Sequence, residues 1–193
     1  MRVVVDVGTG DGLLVYQYAR LNPQTFFIGI DANRKPLEQI SHKIYRKPAR
    51  GGLPNIIFVQ AAVESLPDEL TGIASEVQIN FPWGGLLKTV LAGVSLANLR
   101  RLCVPNALLK AVVGLDPDRD RAELARLEIP MLSPDYLGGA LTLNYRMAGF
   151  EIQRIETLRP HNSSELGSSW AKRLAKNPNR KFMHIVARAV GNK

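Results

Sequence analysis

Cysteine is nearly absent. Cys103 is the one thiol in 193 residues, so no internal disulfide can form and the chain reads as intracellular. No apolar run approaches the roughly 20 residues that a bilayer span needs, and no basic-then-apolar leader opens the chain. The expected location is the cytoplasm, with no membrane partner. The three histidines, His42, His161 and His184, have no metal-ligand spacing with one another or with Cys103, so no metal is expected. They read as surface or capping residues, and Cys103 as a small buried apolar one. Aromatics make up only 7 % of the chain and two of them are tryptophan, so the placing of Trp83 and Trp170 carries information.

Acids are also short, 17 against 25 lysines and arginines, for a net charge of +8. The excess is local. Between Asn33 and Arg50 six basic residues face the single acid Glu38, and from Trp170 to Lys193 there are seven and no acid. Two basic clusters on a mildly acidic body are the footprint of a protein that holds a nucleic-acid backbone; the plainer alternative is a solvated basic surface.

What is abundant is apolar sequence, 46 % of residues, enough for a substantial core in one domain. Val3 to Val7, Thr25 to Ile30, Ile56 to Gln60, Glu76 to Asn80 and Ala107 to Val113 read as strands buried on both faces. Helices are expected from Gly12 to Arg20, Lys35 to Arg46 and Leu86 to Leu102. This alternation predicts an α/β, parallel, doubly wound sheet with right-handed crossovers. A charged stretch and a helix near Pro134 to Ala148 follow, then strands at Phe150 to Leu158 and Lys181 to Ala189, with a polar loop between them.

The turn after the first strand reads "VDVGTGDG", with glycine at 8, 10 and 12, which lets a ligand approach the main chain. Its G-x-G-x-G spacing departs from the dinucleotide pattern, and no G-K-[ST] follows, so neither NAD nor a magnesium nucleotide fits. Asp31 ends the second strand, placed to accept hydrogen bonds from two ribose hydroxyls. Asp6 is an acid inside an apolar strand and needs a partner, an ammonium group or loop amides. Glu64 follows the third strand beside Ala61 and Ala62, whose small size leaves room for a flat adenine. Ribose, adenine and an ammonium-bearing tail without phosphate describe S-adenosylmethionine. The loop residues Thr9 and Gly10 and the strand-end Asn80 join this expected cofactor set.

Together "VDVGTGDG", "IGIDANRKPL", "AAVESLP", "INFPWG" and "SSWAKRL" resemble the aminoglycoside-resistance 16S ribosomal RNA methyltransferases that modify N1 of adenine 1408 in the decoding site of the 30S subunit. The resemblance runs through nearly the whole chain. It implies a class I, Rossmann-like methyltransferase: a single domain over residues 1–193 with a seven-stranded sheet whose last strand is antiparallel. Residues 114–148 would form a linker and helical region, and the loop 159–180 the RNA-facing pocket for the target base. By position, Asp6, Gly8, Asp31, Ala62, Glu64 and Ser168 match the family's cofactor pocket, and Trp83 and Trp170 its pair of base-stacking tryptophans. There are two departures. The family usually has an N-terminal hairpin where this chain begins almost inside its first strand, and Gly85 stands where a hydroxyl residue often follows FPWG.

A base inside a helix cannot present its N1 to a methyl donor and must be extruded, at a cost of a few kcal/mol. Stacking on an aromatic face contributes roughly 1 to 3 kcal/mol per base, so one indole on each side offsets that cost. Trp83, at a strand's exit, fits this role or a buried structural one; Trp170 sits in a context too polar for an ordinary core residue. Phe81 reads as core. No general base is expected, because adenine N1 already bears a lone pair. Docking falls to Lys43, Arg46, Lys47 and Arg50, with 43, 46 and 47 on one helical face, and to Lys172, Arg173, Arg180 and Lys181. The chain is expected to act as a monomer. Two alternatives stand: a transfer-RNA guanine-N7-type methyltransferase, and a non-catalytic RNA-binding ribosome-assembly protein.

Overall fold

The computed structural model describes residues 1–116, 119–158 and 181–191. The first half runs β1 (Arg2–Val7), α1 (Leu13–Leu21), β2 (Thr25–Asp31), α2 (Arg34–Ile44), β3 (Ile56–Gln60) and β4 (Ala74–Asn80). Then come α3 (Gly85–Ala92), α4 (Leu96–Leu102), β5 (Cys103–Leu115), α5 (Arg121–Arg126), α6 (Pro134–Tyr136), α7 (Thr142–Met147), β6 (Phe150–Leu158) and β7 (Lys181–Ala189). One seven-stranded sheet has the order β3-β2-β1-β4-β5-β7-β6. All neighbours are parallel up to β5, and β7 runs antiparallel to both β5 and β6. The strand order reverses direction at β1, between β2 and β4, and in such sheets ligands bind in the crevice outside the strand carboxyl ends at that switch point.

Alternate residues of a strand face opposite sides of the sheet, and this divides the core. On one side Val4, Phe27 and Ile56 pack with Val15, Tyr16 and Ala19 of α1 and Ile40 and Ile44 of α2. On the other, Val5, Ile28, Val77, Leu109 and Val113 meet the apolar faces of α3 and α4 and Leu141 and Tyr145 from the Pro134–Met147 segment. Tyr145 is fully buried and donates its hydroxyl to the Val90 carbonyl at 3.0 Å, tying α7 to α3.

Four expectations are corrected. The stretch Leu86 to Leu102 is two helices, not one, because Gly93 (φ 81°) and Ser95 (φ 63°) take left-handed conformations that end α3 and start α4. The second helix stops at Ile44, so Arg46 and Lys47 lie in the trailing loop and not on a helical face with Lys43; Leu53 N–H returns to the Ile44 carbonyl at 3.1 Å and closes that loop. The strand β4 is not apolar on both faces. Glu76, Gln78 and Asn80 share one side, where Glu76, 3 % exposed, accepts hydrogen bonds from Arg2 (2.7 Å), Lys110 (2.9 Å) and Gln78 (2.6 Å). Burial pushes its carboxyl up, but these donors and the Lys110 and Arg2 charges outweigh that, leaving it below the ordinary carboxylate range. His184 is not a surface residue either; it lies half-buried within β7, and burial, with the Arg154 charge next, holds its pKa below the usual value. Cys103 is buried, as expected, and its thiol is pushed up to about 11.

Candidate active site

The carboxyl ends of β1, β2, β3 and β4 bring together four segments that are distant in sequence. The loop after β1 is anchored by its own amides: Gly8 N–H and Thr9 N–H both donate to the Ile30 carbonyl, at 2.8 and 2.9 Å. Gly8 holds φ 78°, and a Cβ there would lie 2.5 Å from Leu86 Cδ2, so α3 packs directly on the loop and only glycine permits both. Asp31 completes the cradle. One carboxylate oxygen accepts Gly10 N–H at 2.8 Å and the other accepts Asn33 N–H at 2.9 Å. Each oxygen keeps lone-pair capacity for a further donor. Ala61 N–H donates to the Asp31 carbonyl at 3.0 Å, which sets Ala62 and Glu64 beside the same crevice. A Cβ on Gly85 would stand 3.5 Å from Glu64 Oε1, so Glu64 reaches the start of α3.

Asp6 is the electrostatic centre of this arrangement. It is 3 % exposed, and burial pushes its carboxyl from an ordinary 3.8 up to about 6, against the lowering effect of Thr9 and Asn80. Among the described residues its donor is a side-chain amide and not the expected loop amides. Asn80 Nδ2 donates to Asp6 Oδ1 at 3.1 Å, across the β1–β4 seam. The Thr9 hydroxyl lies close enough to influence Asp6, yet it is buried with no hydrogen bond of ordinary geometry. A buried carboxylate that among the described residues meets no cation, next to an unsatisfied hydroxyl, suits a ligand that brings a cation and a polar atom. Asn80 spends one N–H on Asp6 and keeps its carbonyl for another donor.

The segment after β4 turns sharply. Phe81 has φ 55°, its N–H donates to the Val112 carbonyl at 2.7 Å, and its ring meets Phe182 edge-on at 6.1 Å. Phe81 is thus only half-buried, and it serves as a prop between β5 and β7 more than as core. Two residues on, Trp83 is 53 % exposed, so the buried structural alternative does not hold for it. Pro82 is buried and fixes the chain between the two aromatics. Sequence reasoning missed Leu86, Phe182 and the Asn80–Asp6 pairing; these are contacts between residues far apart in the chain, and no local pattern announces them.

Of the docking residues, Arg46, Lys47, Arg50 and Lys181 are exposed. Lys43 is only half-exposed, because its ammonium lies 4.0 Å over the Tyr16 ring. Ser168, Trp170, Lys172, Arg173, Arg180, His161 and the loop 159–180 lie outside the described residues. The flanking ends of that loop, Leu158 and Lys181, are at the carboxyl edge of the sheet, since β7 pairs Lys181 with Leu115 at the end of β5. Among the described residues no cluster of three His, Cys, Asp or Glu side chains could hold a metal ion, and no helix is long and apolar enough to cross a membrane.

Comparison with known proteins agrees with this geometry. The family model described as NpmA, 16S rRNA (adenine(1408)-N(1))-methyltransferase, matches residues 1–189. A 16S rRNA (adenine(1408)-N(1))-methyltransferase from Escherichia coli is 38 % identical over 187 residues, covering 95 % of this chain and 85 % of its own. One of the same description from Streptoalloteichus tenebrarius is 36 % identical over 174 residues, covering 89 % and 80 %. Among solved structures, the aminoglycoside resistance methyltransferase NpmB1 superposes with a TM-score of 0.82 at 43 % identity, over 98 % of this chain and 87 % of that one. The enzyme of Catenulisporales acidiphilia, a tryptophan-to-alanine mutant crystallised with cosubstrate SAM, gives a TM-score of 0.89 at 31 % identity, over 100 % and 87 %. With the switch-point crevice, the glycine loop and the acids at 6, 31 and 64 in place, the chain belongs to the family of 16S rRNA (adenine(1408)-N(1))-methyltransferases.

Proposed function

We propose that this chain transfers a methyl group from S-adenosylmethionine to N1 of adenine 1408 of 16S rRNA in the 30S subunit, and thereby gives its host tolerance of aminoglycosides. The observation that carries the cofactor reading is the buried Asp6, which accepts a hydrogen bond from Asn80 and lies beside the Thr9 hydroxyl, with no cation against it among the described residues. In this reading Asp6 receives the ammonium of the methionine moiety, the Thr9 hydroxyl takes a polar atom of the same moiety, and Asp31 accepts the ribose hydroxyls with its free lone pairs. The small Ala62 leaves space for the adenine ring, with Glu64 at its edge. Ser168 joins this set on the family resemblance alone.

When bound, S-adenosylmethionine supplies a methyl group made electrophilic by its sulfonium, which departs as a neutral thioether. The protein's part is positioning. Adenine N1 would offer that methyl group a lone pair it already bears, so no proton would have to leave first and no side chain would be needed as base. Trp83, fixed by the buried Pro82 and the Phe81–Phe182 contact, offers one face to the extruded base. Trp170 is proposed to supply the other. Methylation leaves the base cationic, and indole faces stabilise a cation in that position, so the same residues bind the product charge as it forms. Arg46, Lys47 and Arg50, together with Lys172, Arg173, Arg180 and Lys181, hold the RNA backbone without reading its sequence. The chain works as a monomer in the cytoplasm in this reading.

The test is substrate choice. Purified protein with methyl-labelled cofactor is incubated with assembled 30S subunits and, separately, with total transfer RNA, and the modified subunit is mapped by primer extension. Label in the 30S subunit with a reverse-transcription stop at adenine 1408 is expected. Label in transfer RNA alone would favour a guanine-N7-type activity, and calorimetry showing no cofactor binding would favour a non-catalytic RNA-binding protein.

A further inference from the structure

The loop that follows α2 is built as a rigid platform. Tyr16 Oη donates to the Gly51 carbonyl at 2.8 Å, and the Lys43 ammonium lies over the same ring. Arg50 N–H and Gly52 N–H both return to the Lys47 carbonyl, at 2.7 and 3.2 Å. A Cβ on Gly52 would stand 1.7 Å from the Arg46 carbonyl oxygen, so the backbone closes there as only glycine permits. The platform is also uniformly basic: from Gln39 to Val63 there is no Asp or Glu, and the one acid at the start of α2, Glu38, pairs with Arg34 at 3.1 Å.

In the middle of this cationic surface stands an aromatic ring. Tyr45, between Ile44 and Arg46, is 80 % exposed. Its neighbour Ile44 is buried at 5 %, so the chain turns the aliphatic side chain inward and the aromatic one out. An isolated exposed tyrosine needs no explanation, but this one lies among three exposed cations on a loop whose hydrogen bonds fix its position. An arginine can lay its guanidinium plane on a base, but a lysine, or any cation turned to a phosphate, offers no flat face to a base or ribose. An aromatic ring does, at low entropic cost because it has only two side-chain torsions.

We propose that Tyr45 stacks on an unpaired nucleotide of the substrate RNA while Arg46, Lys47 and Arg50 hold its flanking phosphates. The inference rests on the proposed function and deepens it. The nucleotide is not the target base. The helix α2 carries the loop away from the carboxyl edge of β2 by its own length, about 16 Å for 11 residues. Contact at both places requires a folded RNA large enough to span them.

The experiment measures 30S affinity of the full chain and of Tyr45→Ala, Tyr45→Leu and Tyr45→Phe at several salt concentrations, with cofactor affinity as the control for folding. Alanine and leucine are expected to weaken 30S binding about tenfold, the size of one stacking interaction. Phenylalanine should stay within about twofold. Cofactor affinity and the salt slope should not change, because the cations remain in place. Leucine binding as tightly as tyrosine, or alanine lowering the salt slope, would show that Tyr45 acts as a spacer or a structural prop and overturn the inference. If the unaltered chain binds and methylates 30S subunits while Tyr45→Ala is indistinguishable from it, this inference alone fails. If the unaltered chain does not bind them, the proposed function fails with it.

Discussion

Replacing Asp6 with asparagine should make the protein more stable at neutral pH and at the same time unable to hold its cofactor. Burial raises the Asp6 pKa from 3.8 to about 6. A group whose folded pKa lies above its unfolded value contributes stability below the unfolded pKa and loses it as pH rises to the folded one. Here the loss accrues between pH 3.8 and about 6, and at 1.36 kcal/mol per unit it totals about 3 kcal/mol. Asparagine keeps the shape and can still accept the Asn80 amide, but it carries no charge to desolvate. Asp6→Asn should therefore match the wild type near pH 4 and exceed it by up to about 3 kcal/mol at pH 7.5. For a chain of this size that is a rise of roughly 6 to 12 °C in Tm. Scanning calorimetry of both proteins from pH 4 to 7.5 measures the difference, and titration calorimetry measures cofactor binding. Affinity of the wild type should rise with pH up to about 6, as the carboxylate ionises to meet the ammonium, and the variant should bind about 100-fold more weakly with little pH dependence. Parallel stability curves at every pH would show that burial is not what sets the Asp6 proton. Unchanged cofactor binding by the variant would remove the ammonium from the reading.

Two further outcomes follow from the same structure. Glu76→Ala leaves Lys110 and Arg2 without their shared acceptor and should cost about 2 kcal/mol, less than a fully buried pair because both cations can turn toward water. Since the Glu76 pKa is depressed, this stabilisation is present above the unfolded value and lost as pH falls through the folded one, opposite in sign to Asp6; urea unfolding at pH 7 and in acid shows it as a difference that shrinks as pH falls. Arg46→Glu with Lys47→Glu should weaken 30S binding and flatten its salt dependence by roughly 0.7 to 0.9 for each phosphate no longer neutralised, while an unchanged affinity would show that this cluster is idle.

The fold could be read from the sequence because buried parallel strands are nearly continuous apolar runs. The parallel strand Ile56–Gln60 matches its expected bounds; Phe150–Leu158 and Lys181–Ala189 match theirs too, although they are antiparallel and mix polar with apolar residues. The breaks are harder to see. Ser95 adopts a left-handed conformation that its residue type does not call for, so α3 and α4 read as one helix. In α2 the helical period runs on past Ile44 because Arg46 and Lys47 fit it; the loop that captures them is closed by Tyr16 and Gly52, which are distant or silent in a periodicity. The polar face of β4 is visible as Glu76, Gln78 and Asn80, but its meaning depends on Arg2 and Lys110 on neighbouring strands. At the site, the acids at 6, 31 and 64 are legible from type and spacing. What each of them bonds is not, since Asn80 and Asp6 are 74 residues apart.

The base clamp can be measured most directly by the single-turnover methylation rate of 30S subunits with Trp83→Ala, alongside its cofactor affinity and its Tm. Trp83 is 53 % exposed, so its removal should change stability by less than about 1 kcal/mol and leave cofactor binding within about threefold. The methylation rate should fall at least about 100-fold, because the swung-out adenine is left with one of its two supports. A variant that methylates at the wild-type rate, or one whose cofactor binding falls as steeply as its methylation, would contradict a stacking role for that indole.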